Sequence, residues 1–152
     1  KYMKIAIAAD HGGFELKEII KEHLNKKGIE TEDVGCFDTN SVDYPDIAVK
    51  TCTKVLSGEG EFGILVCGTG IGISMTANKI KGIRAALCSD EFSARATRAH
   101  NNANALCLGG RVTGPELAKS ICDAFLSGSF EGGRHQIRID KRAEVEKGNY
   151  GV

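Results

Sequence analysis

Three absences limit the functions open to this chain before any motif is considered. Its 20 basic and 20 acidic residues give a formal net charge of +0, so neither a nucleic-acid nor a membrane partner is expected. No apolar run approaches the length that spans a bilayer. The chain opens with Lys1-Tyr2-Met3-Lys4 and continues directly into a predicted strand, without the pattern of a secretory signal peptide.

Paired cysteines are also missing, although the chain contains six cysteines. None has C-x-x-C spacing, and Cys67, Cys88 and Cys107 fall within or at the end of predicted strands. This pattern argues against a zinc site and against a disulfide framework. No cluster of carboxylates and histidines in the sequence suits a divalent metal. We therefore expect no metal, no cofactor and a reducing, cytoplasmic location.

Five short apolar segments alternate with helix-like segments along the 152 residues, a length that suits one domain. Strands are predicted at 4–9, 30–34, 63–66, 84–88 and 103–108. Helices are predicted at 14–27, 45–56, 74–79, 91–99 and 116–126, followed by a basic helical tail from about 134. Such alternation indicates a parallel sheet covered on both faces. The predicted fold is a doubly wound, Rossmann-like or flavodoxin-like α/β domain over 1–152, with strand order 2-1-3-4-5.

Two polar turns rich in glycine follow the first and third strands. They are Asp10-His11-Gly12-Gly13 and Cys67-Gly68-Thr69-Gly70-Ile71-Gly72. Ligands of doubly wound sheets bind outside the carboxyl ends of the strands, where the strand order reverses. With the predicted order, both turns would flank that crevice. Asp10 could instead simply cap the helix that follows it.

The turn that begins at Cys67 has the form of an anion site, since glycines let the backbone approach a ligand and the next helix aims N–H groups at it. It is not a P-loop, because no lysine lies between Gly63 and Asn78. It departs from the dinucleotide fingerprint at Ile73, although Asp90 lies near the usual place of a ribose-binding acid. A thiolate is favoured at its first residue, so Cys67 is a candidate base. A purely structural glycine turn is the alternative.

Two further polar groups follow later in the chain. Arg134, Arg138 and Arg142 recur every four residues and therefore share one face of the tail helix. They form either a phosphate clamp or a solvated surface. The run from His100 to Asn104 ends the fourth helix, where Asn and His also serve as C-caps.

Five motifs together resemble the B-type ribose-5-phosphate isomerases, a family that includes the galactose-6-phosphate isomerase subunits. They occur in order over essentially the whole chain: Ala9-Asp10-His11-Gly12-Gly13, Asp43-Tyr44-Pro45-Asp46, the Cys67 turn, Ala99-His100-Asn101-Asn102-Ala103-Asn104 and Leu108-Gly109-Gly110-Arg111. The resemblance implies an aldose–ketose isomerase of the pentose phosphate pathway that interconverts ribose 5-phosphate and ribulose 5-phosphate through an enediolate. A 6-phosphohexose such as allose or galactose 6-phosphate is the alternative substrate. A non-catalytic nucleotide-binding module is an alternative of another class.

The resemblance also implies roles for individual residues. Cys67 matches the base that moves the proton between C1 and C2, and His100 matches the residue that opens the furanose ring, with Thr69 as a third catalytic position. One branch of the family uses a glutamate where this chain has Ile73, so the chain is similar to the cysteine branch. The implied substrate-binding positions are Asp10, His11, Gly68, Thr69, Gly70, Ile71, Gly72, Asn101, Arg111, Arg134 and Arg138.

The predicted topology separates His100 from Cys67. The helix from Glu91 to Ala99 starts at the carboxyl edge of the sheet and runs back, which carries His100 about 14 Å from its own crevice. Proton transfer needs hydrogen-bond reach, so a neighbouring chain would have to present His100. Sites of the family lie at dimer interfaces, and the resemblance implies a homodimer, or a dimer of dimers, with shared sites.

Overall fold

The computed structural model describes residues 3–149. Lys1 and Tyr2 lie outside the described residues. They belong to the N-terminal segment that was predicted not to be a signal peptide. Strands and helices alternate along the chain in the order β1 (Lys4–Ala9), α1 (Phe14–Lys26), β2 (Glu30–Gly35), α2 (Tyr44–Leu56), β3 (Phe62–Cys67), α3 (Ile71–Ala77), β4 (Ala85–Leu87), α4 (Glu91–Asn101), β5 (Ala105–Gly109), α5 (Pro115–Leu126) and α6 (Arg134–Glu146).

The strands form one parallel sheet with the order β2-β1-β3-β5-β4. The doubly wound class is confirmed, whereas the predicted order 2-1-3-4-5 is wrong for its last two strands. β5 is apolar and fully buried, so it occupies an interior position. β4 has three residues and is partly exposed, which suits the edge. The reversal of strand order between β1 and β3 is unaffected, so the crevice lies where it was predicted.

Helices cover both faces of this sheet. α1, α4 and α5 pack over one face, where Ile20, Ala94 and Ile121 belong to one buried cluster. α2 and α3 cover the other face, where Ala48 and Ile73 join a second cluster. No helix within residues 3–149 is long and apolar enough to cross a membrane.

Local signals place most helix ends within a residue or two of the prediction. The Asp90 carboxylate accepts a hydrogen bond from the Ser93 amide at 2.6 Å and so caps α4. This contact occupies the acid that a dinucleotide-binding protein would turn toward a ribose. α3 begins at Ile71, three residues earlier than predicted. Gly70 is its N-cap residue and adopts the left-handed conformation, which allows the helix to start directly after it.

Replacement of Gly70 by alanine tests how closely the crevice is packed. Gly70 has φ +79, and a Cβ there would lie 2.5 Å from Leu87 Cδ1 and 2.8 Å from the Leu108 carbonyl carbon. Gly58 has φ +82 with nothing within 4 Å of a Cβ, so Gly58→Ala measures the backbone cost alone, about 1–2 kcal/mol. We expect Gly70→Ala to lower the free energy of unfolding by about 1–3 kcal/mol more, measured by urea titration. Equal losses in the two variants would contradict this packing.

Candidate active site

The crevice is formed by three turns whose backbones nearly touch. A Cβ on Gly12 would lie 3.1 Å from Gly68 Cα, and one on Gly110 would lie 2.5 Å from the Gly12 carbonyl oxygen. The Gly110 amide donates to the Cys67 carbonyl at 2.8 Å, and the Arg111 amide donates to the Gly68 carbonyl at 2.9 Å. The turns after β1, β3 and β5 can therefore meet only where the chain has glycine.

Asp10 and His11 project from the first of these turns. Asp10 is buried, and its Oδ1 accepts hydrogen bonds from the amides of Gly12 at 2.9 Å and Gly13 at 3.2 Å. One oxygen of Asp10 thus stabilises the turn ahead of α1, but Asp10 is not the helix cap, because the N-cap position is Gly13 and no side chain among the described residues bonds to the first amides of the helix. His11 is exposed, and its Nδ1 accepts a hydrogen bond from the Val42 amide at 3.2 Å. The ring proton of neutral His11 therefore resides on Nε2.

Cys67 ends β3 inside the crevice with a side chain that is 4% exposed. Its Sγ accepts a hydrogen bond from the Gly70 amide at 3.1 Å. Thr69 is exposed, and its Oγ1 accepts a hydrogen bond from the Ile71 amide at 3.2 Å. A hydroxyl that accepts in this way keeps its own proton available for a ligand.

Two side chains form the rim of the Cys67 turn. The Arg111 guanidinium lies over Gly68, with Nη1 3.1 Å from the position of a Cβ. The Tyr44 ring lies over Gly72, with Oη 3.0 Å from the corresponding position. Arg111 was predicted to bind substrate, whereas Tyr44 was quoted only within a motif. The sequence signal for Tyr44 was its place at the start of α2, within the motif Asp43-Tyr44-Pro45-Asp46.

The remaining predicted residues lie at the opposite edge of the sheet. His100 and Asn101 end α4. Three residues later, the Asn104 carbonyl accepts a hydrogen bond from the Gly63 amide, near the start of β3. Four residue steps of strand separate Gly63 from Cys67, about 13 Å. Arg134 and Arg138 are exposed in the first turns of α6, close to His100. The structure therefore does not bring these four residues to their own crevice.

His135 is a neighbour of His100 that the sequence-based prediction missed. The two rings stack with centroids 4.3 Å apart and planes at 12°. Glu131 Oε1 lies 3.6 Å from His135 Nε2, and the Glu131 amide donates to the Ala99 carbonyl at 3.0 Å. Loss of hydration, together with the charges of His100 and Arg134, lowers the pKa of His135.

His100, Glu131 and His135 could also be considered as metal ligands, because their ligand atoms lie within 4.8 Å of one another. In-plane lone pairs of two nearly parallel imidazoles do not converge on one point, however. The rings would have to rotate apart before both could bind one ion. The arrangement found is therefore a stacked histidine pair rather than a formed metal site.

Together these features define a class: a doubly wound α/β protein with a thiol and backbone amides in its switch-point crevice and basic residues at the opposite edge. The profile of the Ribose/Galactose Isomerase family matches residues 5–142. The chain belongs to this family.

Individual relatives resemble the chain over nearly its full length. Ribose-5-phosphate isomerase B of Escherichia coli is 48% identical over 144 residues, which cover 95% of this chain and 97% of that protein. The solved structure of ribose-5-phosphate isomerase B from Clostridium thermocellum is 51% identical, with a TM-score of 0.94 over 96% of this chain and 99% of that chain. The enzyme from Mycoplasma genitalium, solved with bound ribulose 5-phosphate, is 46% identical, with a TM-score of 0.89 over 95% and 96% of the two chains.

The six thiols should differ sharply in reactivity. Burial raises the pKa of Cys36, Cys107 and Cys122, and raises that of Cys52 and Cys88 to about 11. Because the thiolate is the reactive form and burial disfavours it at the other five cysteines, we expect iodoacetamide at pH 8 to modify Cys67 first. Peptide mapping by mass spectrometry after short exposures measures the order. Earlier modification of any of the other five would contradict this description of the site.

Proposed function

We propose that the chain interconverts ribose 5-phosphate and ribulose 5-phosphate, with the Cys67 sulfur as the base that moves the proton between C1 and C2. The position of this sulfur is the observation on which the proposal rests. It lies where the turns after β1 and β3 meet and accepts the Gly70 amide hydrogen. Close relatives carry the name ribose-5-phosphate isomerase B, and one of them binds ribulose 5-phosphate. A pentose phosphate is therefore favoured over a 6-phosphohexose.

The proposed reaction shifts a carbonyl by one carbon without net oxidation. The thiolate takes the proton from C2 of the open-chain aldose, which leaves an enediolate with its charge on the C1 oxygen. The hydroxyl proton on the C2 oxygen then moves to the C1 oxygen, and the thiol returns its proton to C1 as the C2 oxygen becomes the carbonyl. Charge accumulates on the enediolate oxygens during this step. Amides of the turn from Gly68 to Gly72 and the Thr69 hydroxyl can donate to them, and one such donor typically contributes about 2.7–4 kcal/mol.

The substrate phosphate needs cationic or neutral donors at a fixed distance from the thiol. His11 supplies a ring N–H at the crevice, and Arg111 lies at its rim. Arg134 and Arg138 are exposed on α6 and offer charge-assisted bonds to a phosphate, but from the opposite edge of their own chain. Arg134 and Arg138 can bind a phosphate in a crevice only if that crevice belongs to another copy of the chain.

We infer that the working enzyme is a homodimer, or a dimer of dimers, in which each crevice receives His100 and Asn101 from the neighbouring subunit. His100 cannot open the sugar ring in its own chain, since proton transfer requires hydrogen-bond reach and the crevice lies across the sheet. In the shared site, His100 would act on the ring oxygen while Cys67 of the first subunit acts on carbon.

Exposed apolar side chains around the crevice support this assembly. Ile71 and Met75 on α3, Leu87 at the end of β4 and Phe92 at the start of α4 are all exposed, Phe92 to 74%. α6 buries no residue against its own chain, and its Ile137 is exposed as well. Apolar surface of this kind marks protein contacts. We propose that a second copy covers these side chains and presents the arginines of its own α6 to the crevice.

A reducing cytoplasm suits this chemistry. All six cysteines are free thiols in the structure. Oxidation of a thiolate base to a sulfenic acid would remove its basicity. We therefore expect the enzyme to work in the cytoplasm.

Replacement of Cys67 by serine tests the assigned base. A serine hydroxyl is too weak a base at neutral pH, so kcat should fall at least about a hundredfold, within the range that general-base catalysis supplies. Wild-type enzyme in heavy water should introduce deuterium at C2 of ribose 5-phosphate, and the variant should not. Cys88→Ala, which changes a buried thiol in the core, serves as the matched control and should keep its activity. Wild-type turnover by Cys67→Ser would remove Cys67 from the mechanism.

A further inference from the structure

Lys17 is a charged side chain that is 0% exposed. It lies on the same face of α1 as Ile20 and Leu24, where an apolar residue would be ordinary. Lysine is almost never fully buried unless its ammonium is paired. The partners of this ammonium therefore indicate why a lysine occupies the position.

The Lys17 ammonium joins β2 to the segment that follows it. Nζ lies 2.9 Å from Asp33 Oδ1, and it also donates to the Cys36 carbonyl. The rings of Phe14 and Phe37 lie over it, with centroids 5.1 and 5.4 Å away, within the range of cation–π attraction.

These contacts lie beside the first turn of the crevice. The Cys36 amide donates to the carbonyl of Ala9, the residue that precedes Asp10. Asp33 Oδ1 also accepts the Gly35 amide at 3.0 Å, so one carboxylate holds both the ammonium and the backbone next to Cys36. The ammonium is thus bonded directly to the start of the segment that follows β2, at the residue whose amide reaches the end of β1.

Residues 36–42, here called the bridging segment, run from this contact to His11. At the first end Lys17 holds the Cys36 carbonyl, and the Cys36 thiol donates to the Asp38 carbonyl at 3.2 Å. At the other end the Val42 amide donates to His11 Nδ1 at 3.2 Å. This last bond determines which nitrogen of the neutral ring carries the proton.

We infer that Lys17 is a positioning residue that acts through the bridging segment on His11. It holds the segment so that the Val42 amide meets Nδ1, which keeps the ring proton on Nε2 as a donor for an anion. The inference rests on the proposed phosphate-binding role of His11. A lysine that only stabilised the core would leave the His11 tautomer and the affinity for phosphate unchanged.

Lys17→Met removes the ammonium and keeps the length of the side chain. We expect the KM for ribose 5-phosphate and the Ki of inorganic phosphate to rise about tenfold, the loss of roughly one hydrogen bond to a charged group, with kcat within about twofold of wild type. Lys21→Met is the matched control. Lys21 shares Asp33 at 2.8 Å, is partly exposed and has no bond to Cys36, so neither constant should change.

A double-variant cycle separates positioning from stability. If Lys17 acts through His11, Lys17→Met should have no further effect on KM in a His11→Ala background. If the increase in KM of the double variant equals the product of the increases in the two single variants, the inference is overturned. If His11→Ala alone leaves KM and Ki unchanged, the phosphate role of His11 fails instead. The ring ¹⁵N spectrum of His11 then still decides whether Lys17 controls its tautomer.

Asp33→Asn decides the matter if Lys17→Met does not fold. The amide keeps the shape of Asp33 and an oxygen for the Gly35 amide but removes the negative charge that holds Lys17. We expect a smaller rise in the phosphate Ki and a mixture of His11 tautomers in the ¹⁵N spectrum. A folded Asp33→Asn protein with wild-type Ki and an unchanged His11 spectrum would overturn the inference.

Discussion

The close approach of three glycine turns is the constraint on which the rest of the site depends. The turns after β1, β3 and β5 meet through Gly12, Gly68 and Gly110, with no room for side chains between them. This contact places the Cys67 sulfur at the base of the crevice, where the Gly70 amide donates a hydrogen bond to it. Any larger residue would separate the backbones and move the amides that we propose as enediolate donors away from the Cys67 sulfur.

The sequence predicted the sheet and its crevice because those depend on local patterns. Apolar segments that alternate with helices establish the class, and glycine turns after the first and third strands identify the switch point. The order of β4 and β5 depends on how deeply each strand is buried, which the periodicity of the sequence does not reveal. β4 is short and partly exposed, whereas β5 is buried on both faces, and only packing assigns them to edge and interior.

Contacts between distant segments account for what the sequence left unpredicted. The stack of His100 on His135 joins residues of two helices, and Val42 reaches His11 across 31 positions of the chain. Lys17 was detectable in principle, since its position falls on the buried face of α1 between apolar residues. Its partners could not be inferred, because Asp33 and Cys36 approach it only after β2 pairs with β1.

The central claim is that one catalytic site combines Cys67 of one subunit with His100 of another, and subunit complementation tests it most directly. Cys67→Ser and His100→Ala proteins, each inactive alone, are mixed in equal amounts under conditions in which mass spectrometry shows subunit exchange. Random exchange gives half mixed dimers, each with one intact site and one doubly altered site, so the account predicts recovery of about a quarter of wild-type activity. Activity that stays at the level of the separate variants after complete exchange would contradict a shared site.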